Sequence, residues 1–148
     1  MRTRYGGILF SGPSGIGKST QAELWHNYQN AEILNGDRSI IRKTGNCWRA
    51  YGSPYAGSSR YFVNQSVPIA AIVVLKQADD CRIDRLNPVE AFFKIYAEMI
   101  VNTWNMEYVD KISTMIKVLI EEVPVYQLMC FPGQESIEVL REALKKEM

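Results

Sequence analysis

Histidine is nearly absent from this chain, with His26 alone, and cysteine is scarce: Cys47, Cys81 and Cys130 lie far apart, with no Cys-x-x-Cys pair. These shortages exclude a zinc finger or ribbon, and an odd cysteine count argues against a disulfide framework. The cysteines read as reduced packing residues, since free Cys is among the most buried residue types. Long apolar runs are missing too. The longest, Ile69 to Leu75, has seven residues, well short of the ~20 that a membrane-spanning helix needs. Neither sign of charge dominates: 17 Lys and Arg against 16 Asp and Glu leave a formal +1, without the basic footprint of a nucleic-acid binder. Arg2 and Arg4 are followed by Gly6-Gly7 rather than a signal-peptide core. The expectation is a protein with no membrane and no nucleic-acid partner, at a cytoplasmic address.

What is present is the composition of an ordinary globular protein. Of 148 residues, 47% are hydrophobic and 22% charged, and one domain over residues 1–148 is long enough to bury a core. Gly7 to Ser11 reads as a short strand, Ser19 to Tyr28 as a helix with Ala22, Leu24 and Trp25 inward, and Glu32 to Asn35 as a second strand. Ser39 to Lys43 and Cys47 to Tyr51 form a hairpin through Thr44-Gly45-Asn46. Gly52 to Ser59 is a glycine- and serine-rich loop. The unalternating run at Ile69 to Leu75 predicts a central strand covered on both faces.

Asn87-Pro88 is a helix start, with Val89, Phe92, Phe93, Tyr96 and Ile100 as its apolar stripe. Trp104-Asn105 breaks it, and a further helix carries Val109, Ile112, Ile116 and Leu119. Pro124 to Cys130 reads as a late strand, and Gln134 to Lys146 as a closing helix with Ile137, Leu140 and Leu144. Strands alternating with helices give an α/β fold, and the hairpin makes the central sheet mixed rather than purely parallel.

One motif carries chemistry. Gly12-Pro13-Ser14-Gly15-Ile16-Gly17-Lys18-Ser19 has the spacing Gly-x-x-x-x-Gly-Lys-Ser, and Thr20 follows it. Its glycines allow a tight loop that approaches a ligand closely. Successive N–H groups then face an anion at the positive end of the following helix. In this pattern the lysine, Lys18, reaches the β- and γ-phosphates of a nucleotide and the Ser19 hydroxyl binds Mg²⁺. The motif needs a strand before it and a helix after it, which GILFS and STQAELW supply. The ligand expected is ATP or another nucleoside triphosphate with magnesium. Asp37, after the second strand, has two readings: a carboxylate for Mg²⁺ or its water, or a turn former within Asn35-Gly36-Asp37.

The succession GILFSGPSGIGKSTQAELW, ILNGDRSIIRK, AYGSPYAG, PIAAIVVLKQ with RIDRL, and PVYQLMC resembles the HPr kinase-like group, which shares its fold with the ATP-dependent phosphoenolpyruvate carboxykinases. The resemblance runs from about Gly7 to the C-terminus. It implies a P-loop domain in which Asp37 joins Ser19 at the metal, Lys18 and Asp37 take part in catalysis, and Arg85 lies near the phosphates, with Arg82 as an equal neighbour. It also implies that Gly52-Ser53-Pro54-Tyr55-Ala56-Gly57 lies beside the site; the other reading of that loop is a plain surface turn. The family usually has two aspartates after the second strand, whereas Gly36-Asp37-Arg38 offers one. Either Asp37 serves both roles, or binding is retained without catalysis. Family members also carry strands ahead of the loop strand where this chain has Met1 to Gly6. That leaves an open sheet edge, an edge covered by a partner chain or oligomer, or a shortened form.

Three functions fit these features. The first is a kinase moving a γ-phosphoryl to an acceptor hydroxyl, for instance a serine on a protein or peptide. The second is a nucleotide-sensing binding module without turnover. The third is a nucleoside or nucleotide kinase, for which the stretch 76–87 is a short lid.

Overall fold

The computed structural model describes residues 1–54, 63–99 and 103–147. The elements in chain order are β1 (Arg2–Thr3), β2 (Gly6–Ser11), α1 (Lys18–Gln29), β3 (Ile40–Thr44), β4 (Cys47–Tyr51), β5 (Ser66–Gln77), β6 (Arg82–Arg85), α2 (Pro88–Glu98), α3 (Met106–Glu122), β7 (Val125–Cys130) and α4 (Gln134–Lys146).

β5 organises the sheet. Its residues 69–74 pair in parallel with β2, and 72–77 pair in parallel with β7. The first residues of β5, 66–68, pair antiparallel with β4, which forms a hairpin with β3 across Gly45-Asn46. β6 runs antiparallel along β7, and β1 antiparallel along β2. The sheet is therefore mixed, as the hairpin predicts.

Alternation along β5 divides the core. Ala71, Val73 and Leu75 lie with Trp25 of α1 and Ile137, Leu140 and Leu144 of α4, whereas Ile72 and Val74 lie with Ala91 and Ile95 of α2 and Ile116 and Leu119 of α3. Side chains two apart share a face, so an apolar run buries both faces at once. This is the arrangement expected from Ile69 to Leu75. At roughly 25 cal/mol per Å² of apolar surface removed from water, the two layers supply the main stabilisation of the fold.

Three expectations need correction. Glu32 to Asn35 does not form a ladder strand. Glu32 and Asn35 are isolated bridge positions, and Glu32 pairs with Arg2 through Arg2 N–H to Glu32 O at 2.7 Å and the reverse bond at 2.9 Å. Its neighbour β1 is two residues long, so pairing stops there, and the Leu34 carbonyl instead accepts from Val63 N at 3.0 Å. Second, Met1 to Gly6 contains a strand: β1 pairs Arg2 and Thr3 with Gly7 and Gly6 at the start of β2. Third, the expected stripe of α2 is displaced. Ala91 and Ile95 are its buried residues, while Val89 and Phe93 are each 66% exposed. Apolar residues occupy more than one face of this helix, so three-four spacing alone does not choose among them. Ile100 lies outside the described residues.

Candidate functional site

β2, β5 and β7 are parallel; β2 ends at Ser11, level with Val74, and β5 and β7 run three residues further, to Gln77 and Cys130. In open α/β sheets ligands gather beyond these carboxyl ends, and the glycine loop sits there, between β2 and α1. Gly12, Gly15 and Gly17 take φ of 143°, 81° and 113°. Gly17 is the N-cap of α1, and its left-handed backbone would strain any side chain placed there. The first turn of α1 contains no acidic residue, and no side chain caps it. Its free N–H groups therefore keep the partial positive charge of a helix start.

Lys18 turns back across this loop. Its ammonium donates to the carbonyl oxygens of Gly12 at 2.6 Å and Pro13 at 3.0 Å. Lys18 and Ser19 also line a cleft with Ala22, Glu23, Asn35 and Asp37. The wall opposite α1 is a built turn. Asn35 accepts from the Asp37 N–H at 2.8 Å through Oδ1, and its Nδ2 donates to the Ser53 carbonyl at 2.9 Å. Ser53, 2% exposed, in turn donates from Oγ to the Arg38 carbonyl at 2.6 Å. Asp37 is exposed on this rigid turn. Asp37 therefore belongs to a turn, and that turn lines the cleft.

The structure brings Lys18, Ser19 and Asp37 to one cleft and does not bring Arg85 there. Arg85 lies opposite Tyr126 on β7, which is level with Val73 and, across it, Phe10. Its guanidinium pairs with Glu147 at 2.7 Å, beyond the C-terminal end of α4. Glu147 also accepts from the Tyr126 hydroxyl at 2.8 Å. The antiparallel course of β6 puts Arg82, opposite Met129, at the loop end of the sheet and carries Arg85 away from it. Tyr55 to Gly57 of the expected site-flanking loop lie outside the described residues. Gly52 is described, and a Cβ there would collide with the Val63 carbonyl, so the chain can pass only as glycine.

Glu23 escaped the sequence reading, and Asn35 and Ser53 entered it as turn and loop residues without the bond that joins them. Glu23 is four residues beyond Ser19, a spacing that puts two side chains on one helix face, so its place in the cleft was available in principle. The Asn35–Ser53 bond joins segments 18 residues apart and leaves no local pattern. Burial pushes the Cys81 thiol up to about 11 and raises Cys130 as well. Both stay protonated near neutrality and are poor nucleophiles. Among the described residues no group of three His, Cys, Asp or Glu side chains is placed to hold a metal by itself.

No family model matches the chain, and no curated protein matches it. Among solved structures, it is similar to the HPr(Ser) kinase/phosphatase from Coxiella burnetii, with 13% sequence identity, a TM-score of 0.48, and coverage of 96% of this chain and 91% of that chain. A likeness at that level carries no argument about what this chain binds or does.

Proposed function

We propose that this protein binds a magnesium nucleoside triphosphate and transfers its γ-phosphoryl group to an acceptor hydroxyl. The observation that carries this reading is the shared cleft of Lys18, Ser19 and Asp37 at an uncapped helix start. The residues fit the group. Ser19 and Asp37 offer oxygen ligands, which magnesium prefers while keeping waters and phosphate oxygens for its other positions. In such a complex magnesium supplies charge neutralisation at the phosphates.

The chain's own residues do the rest. Loop N–H groups orient the phosphates, and the Lys18 ammonium exchanges the Gly12 and Pro13 carbonyls for phosphate oxygens. Asp37 holds metal or its water. Glu23 supplies a second carboxylate to the same cleft, where Gly36-Asp37-Arg38 supplies one. A carboxylate there accepts a hydrogen bond from the acceptor hydroxyl and aims it at phosphorus. Orientation of this kind serves a loose phosphoryl-transfer transition state. The acceptor class we propose is a serine on a protein or peptide.

The test is incubation with γ-labelled nucleotide, magnesium and candidate protein, peptide and nucleoside monophosphate acceptors. Label should move to a hydroxyl acceptor and cease to move in Asp37→Asn. Intact binding with no transfer to any of these acceptors would instead favour a nucleotide-sensing module. The exposure of Asp37, held in the turn through its backbone N–H, is the observation on that side.

A further inference from the structure

We infer that Phe131 is the stacking platform for the base of the bound nucleotide; this rests on the nucleotide reading above. The two flanks of the α1 start differ. On one flank Ser19, Glu23 and Asp37 line the cleft, which in the nucleotide reading takes the metal and the reacting end of the phosphate chain. On the other flank, α1 packs against the end of β7 and the start of α4. Buried Gln21 accepts from the Ser136 hydroxyl at 3.1 Å and reaches the Cys130 sulfur at 4.0 Å. A methyl group built on Gly17 would meet the Pro132 ring at 3.8 Å, so the segment after β7 lies against the loop itself. Phe131 begins that segment and is 76% exposed.

With the reacting end of a phosphate chain at Ser19 and Asp37, the flank of α1 beside β7 is the side left for its nucleoside. There an aromatic face stands open beside the loop. Phe131 follows the last residue of β7 directly, and Pro132 restricts the backbone after it. The base therefore meets a ring on a fixed stem. Stacking uses the face that every base has, so the site accepts a purine of either kind and contributes affinity without choosing between adenine and guanine. A second exposed ring, Phe93, flanks Gly12 and Pro13 from α2 on the opposite face of the sheet. It lies at the beginning of the loop, away from the start of α1, and provides the control.

Calorimetric titration of the wild type, Phe131→Ala, Phe131→Trp and Phe93→Ala with Mg-ATP, Mg-GTP and magnesium tripolyphosphate decides the matter. Phe131→Ala should weaken both nucleotides by about ten- to a hundredfold, the range for loss of one base–aromatic stack. It should leave tripolyphosphate affinity unchanged, and Phe131→Trp should retain nucleotide affinity. Unchanged nucleotide affinity in Phe131→Ala, or the same loss in Phe93→Ala instead, would overturn the assignment while the phosphate site stands. A folded wild type that binds neither nucleotide nor tripolyphosphate would overturn the phosphate reading and this one with it. Equal loss of nucleotide and tripolyphosphate would show that Phe131 supports the loop and not the base, and would also overturn it.

Discussion

α1 and α2 begin in opposite ways. Asn87 caps α2, accepting from Glu90 N–H at 3.0 Å, while the Glu90 carboxylate accepts from Asn87 N–H at 3.4 Å, and Pro88 fills the first turn. This reciprocal arrangement satisfies the helix start with its own side chains and places an acid against the dipole. α1 has a left-handed glycine, no cap and no acid. It gives up the ~1 kcal/mol that a cap typically contributes, and in return leaves its N–H groups available. One helix start is closed for stability, the other open to an anion. If that contrast is right, variants should separate binding from stability according to which terminus they touch.

The largest effect is expected from Lys18→Ala. It removes the one side-chain cation that, among the described residues, bonds to the loop carbonyls, and nucleotide affinity should fall at least about a hundredfold, or ~2.7 kcal/mol. The thermal midpoint should hardly change, because Lys18 bonds only to loop carbonyls. Calorimetry beside a melting curve reads both. A large loss of stability with binding intact would contradict the open-terminus account.

Next is Thr20→Glu, which gives exposed Thr20 in the first turn of α1 the acid that α2 already has. Nucleotide affinity should drop about tenfold, the equivalent of ~1.4 kcal/mol, as the new carboxylate repels the phosphates. Helix stability should rise by roughly 0.3–1 kcal/mol through the dipole. Opposite signs in denaturant melts and in titrations are the signature; the same sign in both would break the comparison.

Asn87→Ala is the mirror experiment. Stability should fall by about 1 kcal/mol, within the usual range for loss of such a cap, and nucleotide affinity should stay where it was. Urea unfolding with an unchanged m-value, together with one titration, checks it.

What the sequence discloses follows the same division between local and non-local causes. The glycine loop, the helix after it and the capped start at Asn87-Pro88 are local patterns, and all are where their residues point. The central strand was legible because an unalternating apolar run has few other uses. The hairpin edge at β3 was legible from its turn, but the edge at β1 was not. Arg2–Thr3 is too short to show periodicity, and Glu32 becomes strand-like only through Arg2, 30 residues earlier. In the site, Lys18 and Ser19 come with the motif, but the support of Asp37 by Asn35 and Ser53 depends on a tertiary contact. Arg85 failed for a related reason. Position between a strand and a helix does not reveal that Arg82–Arg85 is itself a strand running back along β7, which reverses the ends to which its two arginines belong.

That reversal yields the smallest expected effect. Arg85→Ala should leave nucleotide affinity unaltered, because the guanidinium belongs to Glu147 and not to the loop. Its ion pair is largely solvent-exposed, so stability should change by no more than about 1 kcal/mol. A local readout remains. Burial first, and the Glu147 carboxylate second, push the Tyr126 phenol up to about 12, with Arg85 pulling the other way. Removing the positive charge should raise that titration further, since the phenolate loses a neighbour that favours it. Spectrophotometric tyrosine titration at high pH, with Tyr126→Phe to assign the signal, would detect the shift. A weakened nucleotide site in Arg85→Ala would mean that β6, three strands across the sheet from β2, communicates with the loop, and the separation drawn from the strand order would have to be abandoned.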